Sequence, residues 1–494
     1  MRDGKATAMG RRATRRTTTG GGLVLLLTAV LAAALTFVAQ PAEAAAGKAL
    51  LNNSTWVDTT GRPIEAHGGG IVKSGAYWYW FGESRNSDYS FKAVTVYRSA
   101  DLLAWEYRGA ALSSSSATEL AKANIERPKV MFNASTGQYV MWMHKENAGD
   151  YAQARAAVAT SPTIEGPYTY RGSFRPFDQY MSRDITTFVD DDGAGYMISA
   201  ANENYDLNVY RLTPDYTNVA TLVRTWKGDH REAPALFKRG GVYFMLTSGA
   251  TGWDPNQQKY ATATSLTGTW SAWQNVGDGT AFGTQTTFVL PVVGAKQTSY
   301  LYLGDVWGPG FGGVYADSRY VWLPLSFPTA TTLSMTDYAK VAVKARNGVV
   351  TGQNPPYVQL VARHSGKCAD VVNGDRKLGA EVIQYACGTG QNQQWQLRAV
   401  GKGAQQLVAR HSHLCAAVAD ASTADGARIV QQPCSASPAQ LWKVKAGSGS
   451  TTVVSQLSGK CLDVADESTA DKARLLQWTC SGGTNQQWTL KPLG

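Results

Sequence analysis

The sequence predicts an all-β protein: a five-bladed β-propeller followed by a smaller domain of three repeats. Three observations carry this reading. Fifty glycines and many Tyr and Trp residues, without amphipathic helical stretches, favour short strands joined by turns. A polar residue followed by a short apolar run, a turn and an aromatic strand recurs five times. Six cysteines lie in the last third of the chain as three pairs, each 19 residues apart.

The first 44 residues read as a secretory signal peptide. Arg11, Arg12, Arg15 and Arg16 precede an apolar run over 23–38 and a small-residue cleavage signature ending at Ala44. General and twin-arginine export both fit the basic stretch. The run is shorter than the roughly 20 residues a membrane span needs, and no later segment is apolar enough to cross. Losing this segment removes Arg2, Lys5, Arg11, Arg12, Arg15 and Arg16 against Asp3 and Glu43, which lowers the net charge from +10 to +6. The remaining charges form no basic runs, so the chain has no nucleic-acid footprint. A secreted, extracellular monomer with no membrane partner is expected.

The five repeated units start at His67, Glu126, Asp184, Glu232 and Gln285, at intervals of 59, 58, 48 and 53. Their apolar runs lead into aromatic strands at Tyr77, Tyr139, Tyr196, Tyr243 and Tyr300. A repeat of this period made of short strands suggests a propeller whose first strands line a central channel. The five polar residues then share one axial pocket. Three carboxyl groups converging there is what acid-catalysed glycoside cleavage requires.

The motifs His67-Gly-Gly-Gly, Glu83-Ser-Arg85, Glu126-Arg-Pro-Lys129, Arg183-Asp-Ile-Thr186, Arg231-Glu-Ala-Pro234 and Gln285-Thr-Thr-Phe-Val, in this order over 48–345, resemble glycoside hydrolase family 43. Within it they resemble the exo-β-1,3-galactanases. The resemblance implies Glu232 as general acid and Asp184 as the carboxylate that orients it, holds its pKa up and grips sugar hydroxyls. The family generally carries an Asp on the first blade as base, where this chain has His67. Water activation is therefore assigned jointly to Glu126 and Gln285. Taken singly, Glu232 could pair with Arg231, Asp184 could cap a turn and Glu126 could pair with Arg127; the shared axial placement favours the catalytic reading.

His67, Glu83, Arg127, Tyr205 and Trp253 are expected to contact substrate, with His67 hydrogen-bonded near the channel floor. No cofactor or metal is expected. His67 has no partner at ligand spacing, and the Asp190-Asp-Asp-Gly run lacks the later acidic ligands of a calcium loop. The implied substrate is β-1,3-galactan, or arabinogalactan, cut from its non-reducing end with inversion. Arabinofuranosidase or xylosidase activity, and a non-catalytic galactose-binding lectin, are the alternatives.

In an exported chain the spacing pairs Cys368 with Cys387, Cys415 with Cys434 and Cys461 with Cys480 as local disulfides, one per repeat. Each pair is followed by a Trp-ending phrase, at Trp395, Trp442 and Trp488. Over 357–494 these phrases resemble the ricin-type β-trefoil, carbohydrate-binding module family 13, in which such Trp residues fill the core. The resemblance implies sugar contacts at Asp370, Tyr385 and Asn392 in the first repeat, and at Asp463, Trp478 and Asn485 in the third. The middle repeat has Ala417, Gln432 and Ala439 at these offsets, so two pockets bind and one does not. The expected divisions are a signal peptide over 1–44, a propeller over 45–345, a connection over 346–356 and a trefoil over 357–494. The connection is short and stiff, which sets the two domains close together.

Overall fold

The structure, a computed structural model, describes residues 49–447 and 449–493; the segment 1–44 read as a signal peptide lies outside them. Regular structure among the described residues is β-strand with short 3-10 turns. Five four-stranded antiparallel sheets follow one another, each built of strands in chain order. Their first strands are His67–Ser74, Ala123–Asn133, Ile185–Val189, Arg231–Arg239 and Gln285–Val293. These strands pack against one another in cyclic order, the last against the first, as strands lining a propeller channel do.

Simple alternation would not aim all the polar residues alike, and local irregularities do so instead. In four sheets the ladder slips close behind the polar residue: between His67 and Gly70, Glu126 and Lys129, Glu232 and Ala235, and Thr286 and Phe288. Gly68, Arg127 and Ala233, the next residues in three of them, are left-handed, with φ of 62°, 56° and 49°. A bulge bends its strand and re-aims a side chain, which here turns the polar residue towards one end of the channel.

The ring is closed by chemistry rather than by a shared blade. Asp305, on the second strand of the fifth sheet, accepts from Gly68 N (2.6 Å) and lies 3.1 Å from His67 Nδ1. Around this clasp pack Trp56, Trp80, Trp105, Tyr320 and Trp322, all buried, with Trp322 4.9 Å from Trp56 and 5.0 Å from Trp80 in edge contacts. Strand Ala49–Leu51 pairs with Lys340–Lys344, which in turn pairs with Val349–Gln353. The stretch 346–356 thus contributes a strand to a three-stranded sheet.

The C-terminal region is a β-trefoil. Trp395, Trp442 and Trp488 are buried in one core, each donating its indole N–H to an equivalent carbonyl: Ala369 O (2.9 Å), Ala416 O (3.1 Å) and Leu462 O (3.1 Å). The three disulfides join the expected pairs, with Cα–Cα distances of 5.1, 5.0 and 5.1 Å.

Candidate functional site

Four of the five first strands bring Glu126, Asp184, Glu232 and Gln285, each at or near the strand's start, to one cleft of about 420 Å³ at one end of the channel. Residues further along the same strands border a depression at the other end. Between the two sit Arg127 and Lys129, both buried. The Lys129 ammonium donates to Gly68 O at 2.6 Å. Burial, with the nearby Arg127 charge, pushes its pKa down to about 7. The axial passage is therefore closed by side chains.

Glu232, the second residue of its strand, does not pair with Arg231. The Arg231 guanidinium instead donates to Thr247 Oγ1 (2.9 Å) and Thr247 O (2.8 Å). Glu232 accepts from Gln285 Nε2 (2.9 Å) and Asn204 Nδ2 (2.9 Å). Burial, reinforced by the charge of Asp184, pushes its pKa up to about 8. Asp184 sits just ahead of its strand, and its Oδ2 takes the Ala233 N–H (3.1 Å) and an ion pair with Arg127 (3.1 Å). It thereby grips the bulge that carries Glu232.

Glu126 does not pair with Arg127 either. Its Oε1 accepts from Arg85 Nη2 (2.8 Å), Asn124 Nδ2 (2.8 Å) and Tyr151 Oη (2.7 Å). Its Oε2 lies 3.0 Å from His144 Nδ1, without a linear hydrogen bond. Burial alone would raise its pKa, but His144 and the Arg85 charge outweigh it and hold Glu126 well below the usual carboxylate range. His144 also contacts Glu146 Oε1 at 2.8 Å. These two partners overcome burial and raise the imidazole to about 9. Gln285 donates to Glu232 and to Ser248 Oγ (3.1 Å), and its Oε1 accepts from Arg127 and from Trp307 Nε1 (2.7 Å). Glu83 accepts from Arg127 N (3.1 Å), Arg85 Nη2 (3.1 Å) and Tyr315 Oη (3.1 Å).

Trp253 lines the cleft and meets Trp307 edge-on at 5.2 Å. Two expected contacts lie elsewhere. Tyr205, 47% exposed, packs on His230 at 4.3 Å and does not line the cleft. His67 stacks on Tyr320 at 4.4 Å behind Trp307 and serves the closing clasp with Asp305. Arg85, His144, Tyr151, Asn204 and Trp307 also line the cleft, and no repeat position in the sequence marks them. Arg85 was the most accessible of them, two residues from Glu83 and so on the same strand face. His144 stands opposite Glu126 in the ladder, but the intervening bulge defeats a residue count from the turn. Glu126, His144 and Asp184 bring potential ligand atoms within 4.8 Å of one another. The guanidiniums of Arg85 and Arg127 already balance these carboxylates, which disfavours a metal cation.

In the trefoil, Asp370 accepts from Gln393 Nε2 (2.8 Å), and Asp463 accepts from Asn485 Nδ2 (2.9 Å) and Gln486 Nε2 (2.7 Å). Burial raises the pKa of both Asp370 and Asp463. Asn392 donates to Val371 O at 3.1 Å. Tyr385 and Trp478 stand 39% and 46% exposed beside them. The middle repeat presents buried Ala417 and Ala439 instead.

Residues 70–280 match the family model for glycosyl hydrolases family 43, and residues 356–488 match that for the ricin-type β-trefoil lectin domain. An exo-β-1,3-galactanase from Clostridium thermocellum is 46% identical over 90% of this chain and 100% of its own, with a TM-score of 0.62. A family 43 β-1,3-galactosidase solved with galactodeoxynojirimycin is 34% identical over 58% of this chain and 98% of its own, with a TM-score of 0.54. An exo-β-1,3-galactanase from Phanerochaete chrysosporium, solved with β-1,3-galactotriose, is 29% identical over 90% of this chain and 93% of its own, also at 0.62. No curated protein sequence matches the chain.

The raised pKa of Glu232 has a measurable consequence. The native state holds this proton more tightly than the unfolded chain, so ionising Glu232 removes stability as pH rises from 4.5 towards about 8. Glu232→Gln has no such proton. Its melting temperature, relative to wild type, is expected to climb across this window; a difference that stays flat with pH would show that the carboxyl is not held neutral.

Proposed function

We propose that this chain, which belongs to glycoside hydrolase family 43, is a secreted exo-β-1,3-galactanase that removes galactose from the non-reducing end of β-1,3-galactan with inversion. In this reading a five-bladed propeller over 45–345 does the chemistry, 346–356 connects, 357–494 binds the polymer and 1–44 directs export. The three disulfides fit an oxidising compartment, and no helix among the described residues is long and apolar enough to cross a membrane.

The observation that carries the proposal is the pairing of a neutral Glu232 with an ionised Glu126 in one closed-ended cleft. Environments that push two carboxyls apart in pKa separate an acid from a base. Glu232 delivers its proton to the departing glycosidic oxygen as the anomeric carbon becomes oxocarbenium-like. Asp184 keeps that proton on Glu232 and fixes the bulge from which it projects. Glu126 Oε1 is occupied by three donors, whereas Oε2 faces only His144 and keeps a lone pair for the attacking water. Gln285 contributes by orienting Glu232, since its own oxygen is taken up by Arg127 and Trp307. The water's proton passes to Glu126 as its oxygen adds to the anomeric carbon.

The plug of Arg127 and Lys129 supports exo action, because a polymer cannot thread the channel and only its end enters. Trp253 and Trp307 supply apolar faces for a terminal sugar ring. The relatives named above are described as acting on β-1,3-linked galactose, which supports the same linkage here.

Two experiments test this reading. Wild type is expected to release α-galactose from debranched β-1,3-galactan, and Glu232→Gln to lose about 10²–10⁴-fold in rate. Pentose release from arabinoxylan instead would favour an arabinofuranosidase or xylosidase, and no release from either polymer would favour a lectin. Calorimetric titration with galactose should count two trefoil sites, with Tyr385→Ala and Trp478→Ala each removing one. A Tyr385→Ala or Trp478→Ala protein that keeps both trefoil sites would contradict the pocket assignment.

A further inference from the structure

The trefoil's threefold symmetry is broken at one junction, and the break faces the propeller. Lys367 in the first repeat pairs with Asp471 in the third at 2.6 Å, and Ala386 N donates to the same carboxylate at 3.0 Å. Lys460 in the third repeat pairs with Asp425 in the second at 2.5 Å, and Thr479 N donates at 2.6 Å. At the remaining junction, between repeats one and two, the equivalent positions are Leu414, Leu378 and Pro433. Cation, carboxylate and N–H donor are all replaced by apolar groups at once. Leu414 is buried, and Leu378 packs on the propeller core around Phe311 and Ala281.

What this junction touches is close to the chemistry. Leu378 N donates to Phe311 O at 2.8 Å. Phe311 ends the turn Gly308–Phe311 that directly follows Trp307. Arg376, two residues before Leu378, pairs with Asp278 Oδ2 at 3.3 Å. The other oxygen of Asp278 caps Thr280 N (2.9 Å) and Phe282 N (2.7 Å). This segment leads into Gln285. Within it Ala281 and Phe282 are both left-handed, with φ of 47° and 59°, a strained pair that persists only where its surroundings fix it. A Cβ on Gly283 would lie 3.2 Å from both Arg376 Nη1 and Phe311 Cζ, so the three elements are in close contact. Gln285 and Trp307, at the ends of the two supported segments, are hydrogen-bonded to each other in the cleft.

We propose that the trefoil is a structural part of the active site as well as a sugar binder: through Arg376 and Leu378 it holds the segments 278–284 and 308–311, and so positions Gln285 and Trp307. Arg376 and Leu378 are positioning residues, and neither touches substrate. The middle repeat serves docking rather than binding, with His413 Nε2 3.1 Å from Asp337 and Asn53 Nδ2 donating to Ser412 O at 3.4 Å. The functional part of the inference rests on the hydrolase reading above; the positioning part does not.

Full-length variants test it. Leu378→Asp combined with Leu414→Lys installs the ion pair of the other two junctions, and Arg376→Ala removes the contact to Asp278 without placing a charge in the interface. Lys460→Ala, at a junction away from the propeller, is the control. On β-1,3-galactobiose, kcat is expected to fall roughly tenfold or more in both interface variants with little change in KM. The control should match wild type, and two galactose sites should remain. Hydrogen exchange of 278–285 and 307–312 should rise in Arg376→Ala. Unchanged exchange, or wild-type kcat in Arg376→Ala and in the double variant, would overturn the proposal. If exchange rises while wild type itself releases no galactose, the positioning role stands and the galactanase reading fails.

Discussion

Arg127 is a buried guanidinium whose partners come from around the whole ring. It forms an ion pair with Asp184 at the third sheet, donates to Thr286 O (2.8 Å) and the Gln285 amide oxygen on the fifth, and gives its backbone N–H to Glu83 on the first. Through Asp184, which also takes the Ala233 N–H, it reaches the fourth. A cation taken out of water at this depth is tolerated only when so many acceptors meet it. Nearby carboxylates hold it charged against burial. The same contacts aim Asp184 and Gln285 at Glu232. The contacts that tie the sheets together and those that raise the pKa of Glu232 are thus one arrangement of charge.

That arrangement explains how two carboxyls in one cleft differ. Glu232 faces Asp184, amide donors and little water, and burial with the Asp184 charge pushes its pKa up. Glu126 faces Arg85, His144 and Tyr151, and stays ionised. Their separation is a property of the neighbours rather than of the carboxyls, and most of those neighbours lie on other sheets. The trefoil extends the same logic outward. The first and third repeats keep an exposed aromatic beside a buried carboxylate, the middle repeat has neither, and the junction between the first and middle repeats has apolar groups against the propeller in place of an ion pair.

Much of this was legible in the chain, for a physical reason. A propeller samples one position once per blade, so a polar residue ahead of each apolar run marks the axis. Glu126, Asp184, Glu232 and Gln285 were therefore found together. His67 occupied the same repeat position but turns to the Asp305 clasp, because ring closure needs a partner there. Residues that reach the cleft from second strands or loops, such as His144 and Trp307, carry no repeat signal. Tyr205 sits close to a motif in sequence yet faces His230, while its neighbour Asn204 in the same turn is the residue that reaches the cleft. The threefold cysteine spacing and the Trp phrases gave the trefoil's pairing and core directly, as a symmetric repeat leaves few alternatives.

The most direct test is to measure unfolding free energy and kcat/KM together for Arg127→Lys. Lysine keeps the charge but cannot reach three acceptors at once with a planar fork. If one network both closes the ring and tunes the acid, both quantities fall: stability by about 3 kcal/mol and kcat/KM by about 10²-fold or more. Lost activity with wild-type stability would reduce Arg127 to a substrate contact and contradict the account.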